Sequence, residues 1–321
     1  MARSRGAIGA PRASIRKLLD GFRQNLADLM QGFVLATDPQ FDWRTSGSVF
    51  QYTSFERLRG MLGGPLIDPF STRPIMSELW ATSSIHMNDA KEFVRGREVI
   101  DHELAHLPND DIRKRMRLAI GDADALEVYC TCFSAVDDDL SQWRGYGDNG
   151  AGVCIEFDLD RLLSELNGVG YWVVYGKPGN ETIQTGVARN LLDYIHSTVG
   201  QALPTAPIPP AVYDEVRQQL TEIWPAIFLA FKHFDFSAER EFRFVYSDAI
   251  GWPLQPCFRP NPIVPFVKLE MRKADRLPVL GIRLGPAASS NANVRSLELA
   301  LHNLGLAYVR VSKSDIPYVP R

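Results

Sequence analysis

Apolar positions along this chain follow two different periods. From Pro11 to Ala36, Ile15, Leu18, Leu19, Phe22, Leu26, Leu29, Met30 and Phe33 recur three or four apart, the spacing of one helical face. With Arg3, Arg5, Arg12, Arg16, Lys17 and Arg23 around that stripe, residues 1–44 read as a basic N-terminal amphipathic helical arm, docked on the body or on a second copy. From Val49 onward the pattern shortens. Val49–Thr53, Glu78–Thr82, Val128–Phe133, Gly152–Phe157, Tyr171–Tyr175 and Glu239–Tyr246 are short runs of β-branched, aromatic and cysteine residues bounded by turn formers, and each predicts a strand. Helical spacing returns between them. Ser54 caps a helix carrying Phe55, Leu58, Met61 and Leu62, which Gly63-Gly64-Pro65 stops; Asn88 or Asp89 opens another that Pro108 ends, and a further one runs to about Gly121. Glu181–Val199 and Ala211–Lys232 are predicted helices with a Pro204–Pro210 spacer, and the C-terminus reads as strand (Pro278–Leu284), helix (to Leu304), strand (Ala307–Val311). Such irregular interleaving predicts an α+β fold: a mixed, mostly antiparallel sheet flanked by helices. Residues 45–321 are expected to be one domain with a helical insertion around 181–232, preceded by the arm at 1–44.

The stretch Val128–Asp158 carries the candidate site. It reads as strand, exposed loop, helical turn and second strand, with Asp137, Asp138 or Asp139 capping the turn. Gln142, Trp143, Arg144 and Tyr146 then sit on a connection, where binding groups concentrate. Glu239 and Glu241 are two residues apart on a predicted strand, so both carboxylates point to one side. If they share a pocket, one proton affinity rises, which suits acid–base or hydrogen-bonding work; if Arg240 or Arg243 neutralises them, they form a structural ion-pair ladder. The two readings predict opposite outcomes for Glu241→Gln: lost activity on an intact fold, or a weakened fold with function kept.

His102-Glu103-Leu104-Ala105-His106 matches the zinc-peptidase pattern H-E-x-x-H. On a helix, however, Phe93, Ile100, Leu104 and Leu107 form the apolar face, and both histidines fall on the solvent side. Pro108 follows at once, and Glu127 is the only tempting third ligand. No metal is therefore expected, and a zinc metallopeptidase stands third among the functional readings. Cys130 and Cys132 share a strand face and read as small buried hydrophobes. The net charge of -3 argues against general nucleic-acid binding, and no apolar run reaches membrane-spanning length, so no membrane partner is expected. Four cysteines in 321 residues make no disulfide framework, and the first residues hold no secretory apolar segment; a cytoplasmic location follows as the expectation.

Several short pieces carry a family resemblance: Phe50-Gln51-Tyr52-Thr53-Ser54, Met87-Asn88-Asp89 with Glu92, Cys132-Phe133-Ser134, Trp143-Arg144 with Tyr146-Gly147, Gly152-Val153-Cys154, Glu239-Arg240-Glu241-Phe242-Arg243, Gly285-Pro286 and Ser314–Tyr318. In this order they resemble the bacterial domain of unknown function 2971 family over about Val49 to Arg321. That family usually has His-Tyr-Thr where this chain has Gln51-Tyr52-Thr53. At a greater distance the motif order is similar to that of ADP-ribosyltransferases: a first strand with His or Arg, a strand with Ser, Thr or Tyr, and a late strand with the catalytic Glu. The resemblance implies an NAD-using ADP-ribosyltransferase-like effector, a toxin or antiphage defence component, with NAD as substrate. It implies Glu241 and Glu239 as catalytic residues and Gln51, Tyr52, Thr53, Thr82, Ser83, Trp143, Arg144 and Tyr146 as cofactor-binding residues. The acceptor, whether protein, nucleic acid or small molecule, stays open. The alternative is a non-catalytic ligand-sensing or interaction module on the same fold, favoured by the uncharged Gln51. A homo-oligomer through the N-terminal helix is the expected assembly.

Overall fold

The structure is a computed structural model that describes residues 47–63, 75–87, 92–108, 110–123, 127–166, 168–176, 182–202, 210–246, 257–260, 263–271, 273 and 276–318. The expected N-terminal arm lies outside the described residues. The body is α+β, built on a ten-stranded, mostly antiparallel sheet. Its strands are β1 (Ser48–Thr53), β2 (Glu78–Ser83), β3 (Tyr129–Ser134), β4 (Val153–Asp158), β5 (Val169–Trp172), β8 (Glu241–Tyr246), β9 (Cys257–Pro260), β10 (Ile263–Glu270), β11 (Val279–Leu284) and β12 (Arg310–Lys313); β6 (Val174–Gly176) and β7 (Phe231–His233) form a separate parallel pair. Among the described strands of the large sheet only β11 and β12 run parallel, joined by the expected C-terminal crossover helix.

The sheet forks at β3. Along its whole length β3 pairs with β8, from Tyr129↔Tyr246 to Ser134↔Glu241. On its other flank it meets β2 at Thr82↔Cys130 and Ser83↔Tyr129, and β1 at Phe50↔Ser134. A strand has two flanks and β8 takes one, so β1 and β2 share the other and part company beside residues 131–133. The two strands that flank the candidate loop, β3 and β4, are therefore not neighbours: β1 lies between them, in register with β4 from Ser48↔Asp158 to Thr53↔Val153.

Helices cover both faces. On one lie α1 (Phe55–Leu62), α5 (Leu159–Glu165) and α8 (Asn291–Asn303), which close a core containing Val49, Tyr129, Phe133, Phe157, Phe242, Phe244 and Tyr246. On the other lie α2 (Glu92–Leu104), α3 (Asp110–Ala123), α6 (Thr182–Ala202) and α7 (Pro210–Phe228), packed over Cys130, Tyr171 and Val245. The helix at 140–145, α4, is short and sits in the β3–β4 connection. Short polar side chains cap four of the helices. Ser54, Asp139, Asp158 and Ser290 each accept a backbone N–H from the first turn of their helices. The α6–α7 pair shares one core with α2 and α3. Gly96 of α2 permits the closest approach: a Cβ there would lie 2.0 Å from the Phe228 carbonyl oxygen.

Candidate functional site

The sheet register sorts the candidate residues into two groups. Cross-strand partners point to the same side, so Phe50, Ser134 and Glu241 form one row across β1, β3 and β8. Tyr52, Cys154, Cys132, Arg243 and Thr82 share that side, beneath α2, α6 and α7 or the β3–β4 connection. Gln51, Thr53 and Ser83 point the other way. Gln51 Nε2 donates to Thr131 Oγ1 at 3.2 Å, at the fork, and Ser83 Oγ is fully buried with no hydrogen-bond partner. Gln51 lies one residue along β1 from Phe50, which shares the row of Glu241, so Gln51 and Glu241 occupy opposite faces.

Glu241 is the centre of a buried charge cluster. Arg243 grips it with two hydrogen bonds, Nε to Oε1 at 2.6 Å and Nη2 to Oε2 at 2.7 Å, and Lys232 Nζ reaches Oε2 at 3.0 Å. Arg243 is fully buried and also donates to the Leu229 carbonyl at 2.7 Å. Burial alone would raise the Glu241 carboxyl, but Arg243 and then Lys232 overcome it and hold it at about 2. The backbone N–H of Glu241 donates to Tyr175 Oη at 2.9 Å. The Tyr175 phenol is itself pushed far up, first by burial and then by the negative Glu241. Cys132, opposite Arg243, keeps its proton well above the usual thiol range through its hydrogen bond with Cys130, its burial and the Glu241 charge.

Glu239 is placed differently from expectation. The strand begins at Glu241, and Glu239 ends a 3-10 turn (Phe234–Glu239) that Arg240 closes in the left-handed region at φ 43°. The two carboxylates still meet, because Lys232 Nζ bridges them, 2.6 Å from Glu239 Oε2. Tyr146 Oη donates to Glu239 Oε1 at 2.9 Å. Glu239 is the more open carboxylate, 16% exposed against 7% for Glu241. Neither face of the strand is open: all six residues of β8 are buried, because helices cover both sides. A charge-removing substitution at Glu241 therefore acts on the fold.

The aromatic loop is anchored from below. Trp143 is fully buried, edge-on to Tyr52 at 4.8 Å between centroids, with Cys154 in the same small cluster. Tyr52 Oη donates to the Val136 carbonyl at 2.8 Å and accepts the Asp139 N–H at 3.0 Å, and burial keeps its proton on. Asp138 takes the Trp143 indole N–H at 2.7 Å, the Ser314 hydroxyl at 2.7 Å and the Asp315 N–H at 3.1 Å. Arg144 turns outward over the Tyr318 ring at 5.0 Å, and Tyr318 Oη donates to Asn149. Of the loop residues singled out from sequence, only Tyr146 reaches the carboxylates. Lys232 and Tyr175, which complete the cluster, carried no local signal; a lone Lys at the end of a predicted helix and a Tyr in an apolar strand look ordinary until β6 and β7 pair.

His102 and His106 lie outward as predicted, whereas Glu103 points inward and is 2% exposed. Its carboxylate pairs with Arg189 of α6 at 2.9 Å and with His102 Nδ1 at 3.0 Å, which leaves a peptidase no free general base. No helix among the described residues is long and apolar enough to cross a membrane.

A forked, helix-covered α+β sheet with a buried Glu–Arg–Lys cluster beside the fork defines the class of protein. Residues 142–244, which hold β4, most of α4 and β8 and the whole Glu–Arg–Lys cluster, match the family model described as Protein of unknown function (DUF2971). No curated protein and no solved structure matches the chain.

Proposed function

We propose that the chain is an NAD-using, ADP-ribosyltransferase-like effector whose substrate-facing carboxylate is Glu239. The observation that carries this reading is the order of three strands: β1 with Tyr52, β3 with Ser134 and β8 with Glu241 lie side by side, with Glu239 in the 3-10 turn that leads into β8. A sheet that forks at β3 supplies an edge at which a ligand can enter. Chemistry at a ribose carbon calls for a negative group close to the positive charge that grows as nicotinamide leaves. Glu239 supplies it, Lys232 Nζ positions it, and Tyr146 adds a hydroxyl and a half-open ring. Glu241 is saturated by Arg243 and Lys232, so its part is to fix those two cations. An effector role in toxicity or phage defence, in the cytoplasm, belongs to the same proposal, as does modification of a protein, nucleic acid or small-molecule acceptor.

A second reading, a ligand-sensing module without chemistry, is favoured by Gln51 and by the burial of Trp143, which withholds an aromatic platform. Calorimetric binding of NAD together with release of labelled nicotinamide separates the two. Release that falls on the order of 10²-fold in Glu239→Gln supports the transferase. Binding without release supports the sensor, and absence of both sinks the NAD reading altogether.

A further inference from the structure

We propose that His102 and His106 form a two-histidine chelate for a first-row divalent cation of the zinc, nickel and copper class. One nitrogen of each ring and one Glu103 oxygen lie within 4.8 Å of one another. The hydrogen bonds around the rings assign their protons. His102 Nδ1 faces a Glu103 carboxylate oxygen at 3.0 Å, and His106 Nδ1 faces the His102 carbonyl at 3.1 Å. Both partners only accept, so both Nδ1 atoms carry the proton and both Nε2 atoms keep a lone pair. That is the tautomer a metal-bound imidazole takes when a carboxylate or carbonyl orients it from behind. The rings sit 5.4 Å apart between centroids and tilted by 54°, and His102 is 66% exposed. Small side-chain rotations bring two Nε2 atoms to the ~2.0–2.1 Å that zinc requires.

Glu103 is an orienting group in this arrangement. Its other oxygen is anchored by Arg189, so the chelate is tied through one buried carboxylate to α6. His106 lies in the turn just beyond the end of α2, whose last helical residue is Leu104. A cation bridging the two rings therefore clamps the end of α2. Imidazole pairs favour the later first-row metals over calcium or magnesium. The outward placement of both rings, from which the sequence predicted no metal, removes a closed catalytic centre but leaves an open chelate on the surface.

The test is titration of the full chain, carrying no affinity tag, with zinc chloride in a calorimeter. The expected result is one zinc per chain, lost in His102→Ala and also in His106→Ala; both positions are exposed, so the variants keep their fold. Glu103→Gln, with its unfolding curve recorded in parallel, should bind about 10–100-fold more weakly. Absence of zinc uptake by the wild type, or loss in only one of the two alanine variants, overturns the proposal.

Discussion

Substituting Glu241 by Gln keeps the shape of the side chain and removes its charge. Glu239 still faces Lys232 in the variant, so the cation most affected is the fully buried Arg243, which loses the carboxylate it grips with two hydrogen bonds. Two independent routes give the magnitude. The Glu241 carboxyl, ordinarily near 4.5, is held at about 2; at about 1.36 kcal/mol per pH unit that interval is worth roughly 3 kcal/mol. Removing one partner of a buried pair costs about 3–5 kcal/mol. Urea unfolding at neutral pH should therefore show Glu241→Gln about 3 kcal/mol less stable than the wild type. The folded-state value lies below the unfolded one, so the contribution is complete above about pH 4.5 and disappears as pH falls through about 2. The gap between the two proteins should close across that window. A Gln variant within about 0.5 kcal/mol of the wild type at neutral pH, or a gap that persists in acid, would refute the reasoning. Adding Arg243→Met should restore part of the loss, since the stranded charge is then gone.

Two further outcomes follow from the packing. Asp138→Asn removes the charge that accepts three hydrogen bonds from Trp143, Ser314 and Asp315, and should cost about 2–3 kcal/mol while making the last residues more open to protease, read by limited proteolysis and mass spectrometry. Gly96→Ala drives a methyl into the backbone of Phe228 and should lower the unfolding midpoint by the equivalent of about 1–3 kcal/mol, whereas Gly60→Ala, with open space at its Cβ, should be neutral or slightly stabilising.

The local rules were legible in the chain itself. Caps at Ser54 and Asp139, the strand at Val49–Thr53 and the C-terminal strand–helix–strand order depend on residues close in sequence, and they form as the pattern predicts, although the last strand runs Arg310–Lys313 rather than Ala307–Val311. The outward histidines and inward Leu104 were readable for the same reason, because one helix turns by a constant angle. Pairing between distant strands is a different matter. The insertion of β1 between β3 and β4 and the fork beside Thr131 depend on which hydrophobic faces meet, and no local spacing encodes that choice. The fate of Glu239 and Glu241 shows the consequence. Their spacing of two read as a shared strand face, but the strand starts only at Glu241, and what joins the carboxylates is Lys232, brought in by the parallel pairing of β6 with β7. Sequence alone could offer Arg240 or Arg243 as the neutralising partner. Burial chose between them, leaving Arg240 exposed at a left-handed turn and closing Arg243 around Glu241, where a lone charge would be costly.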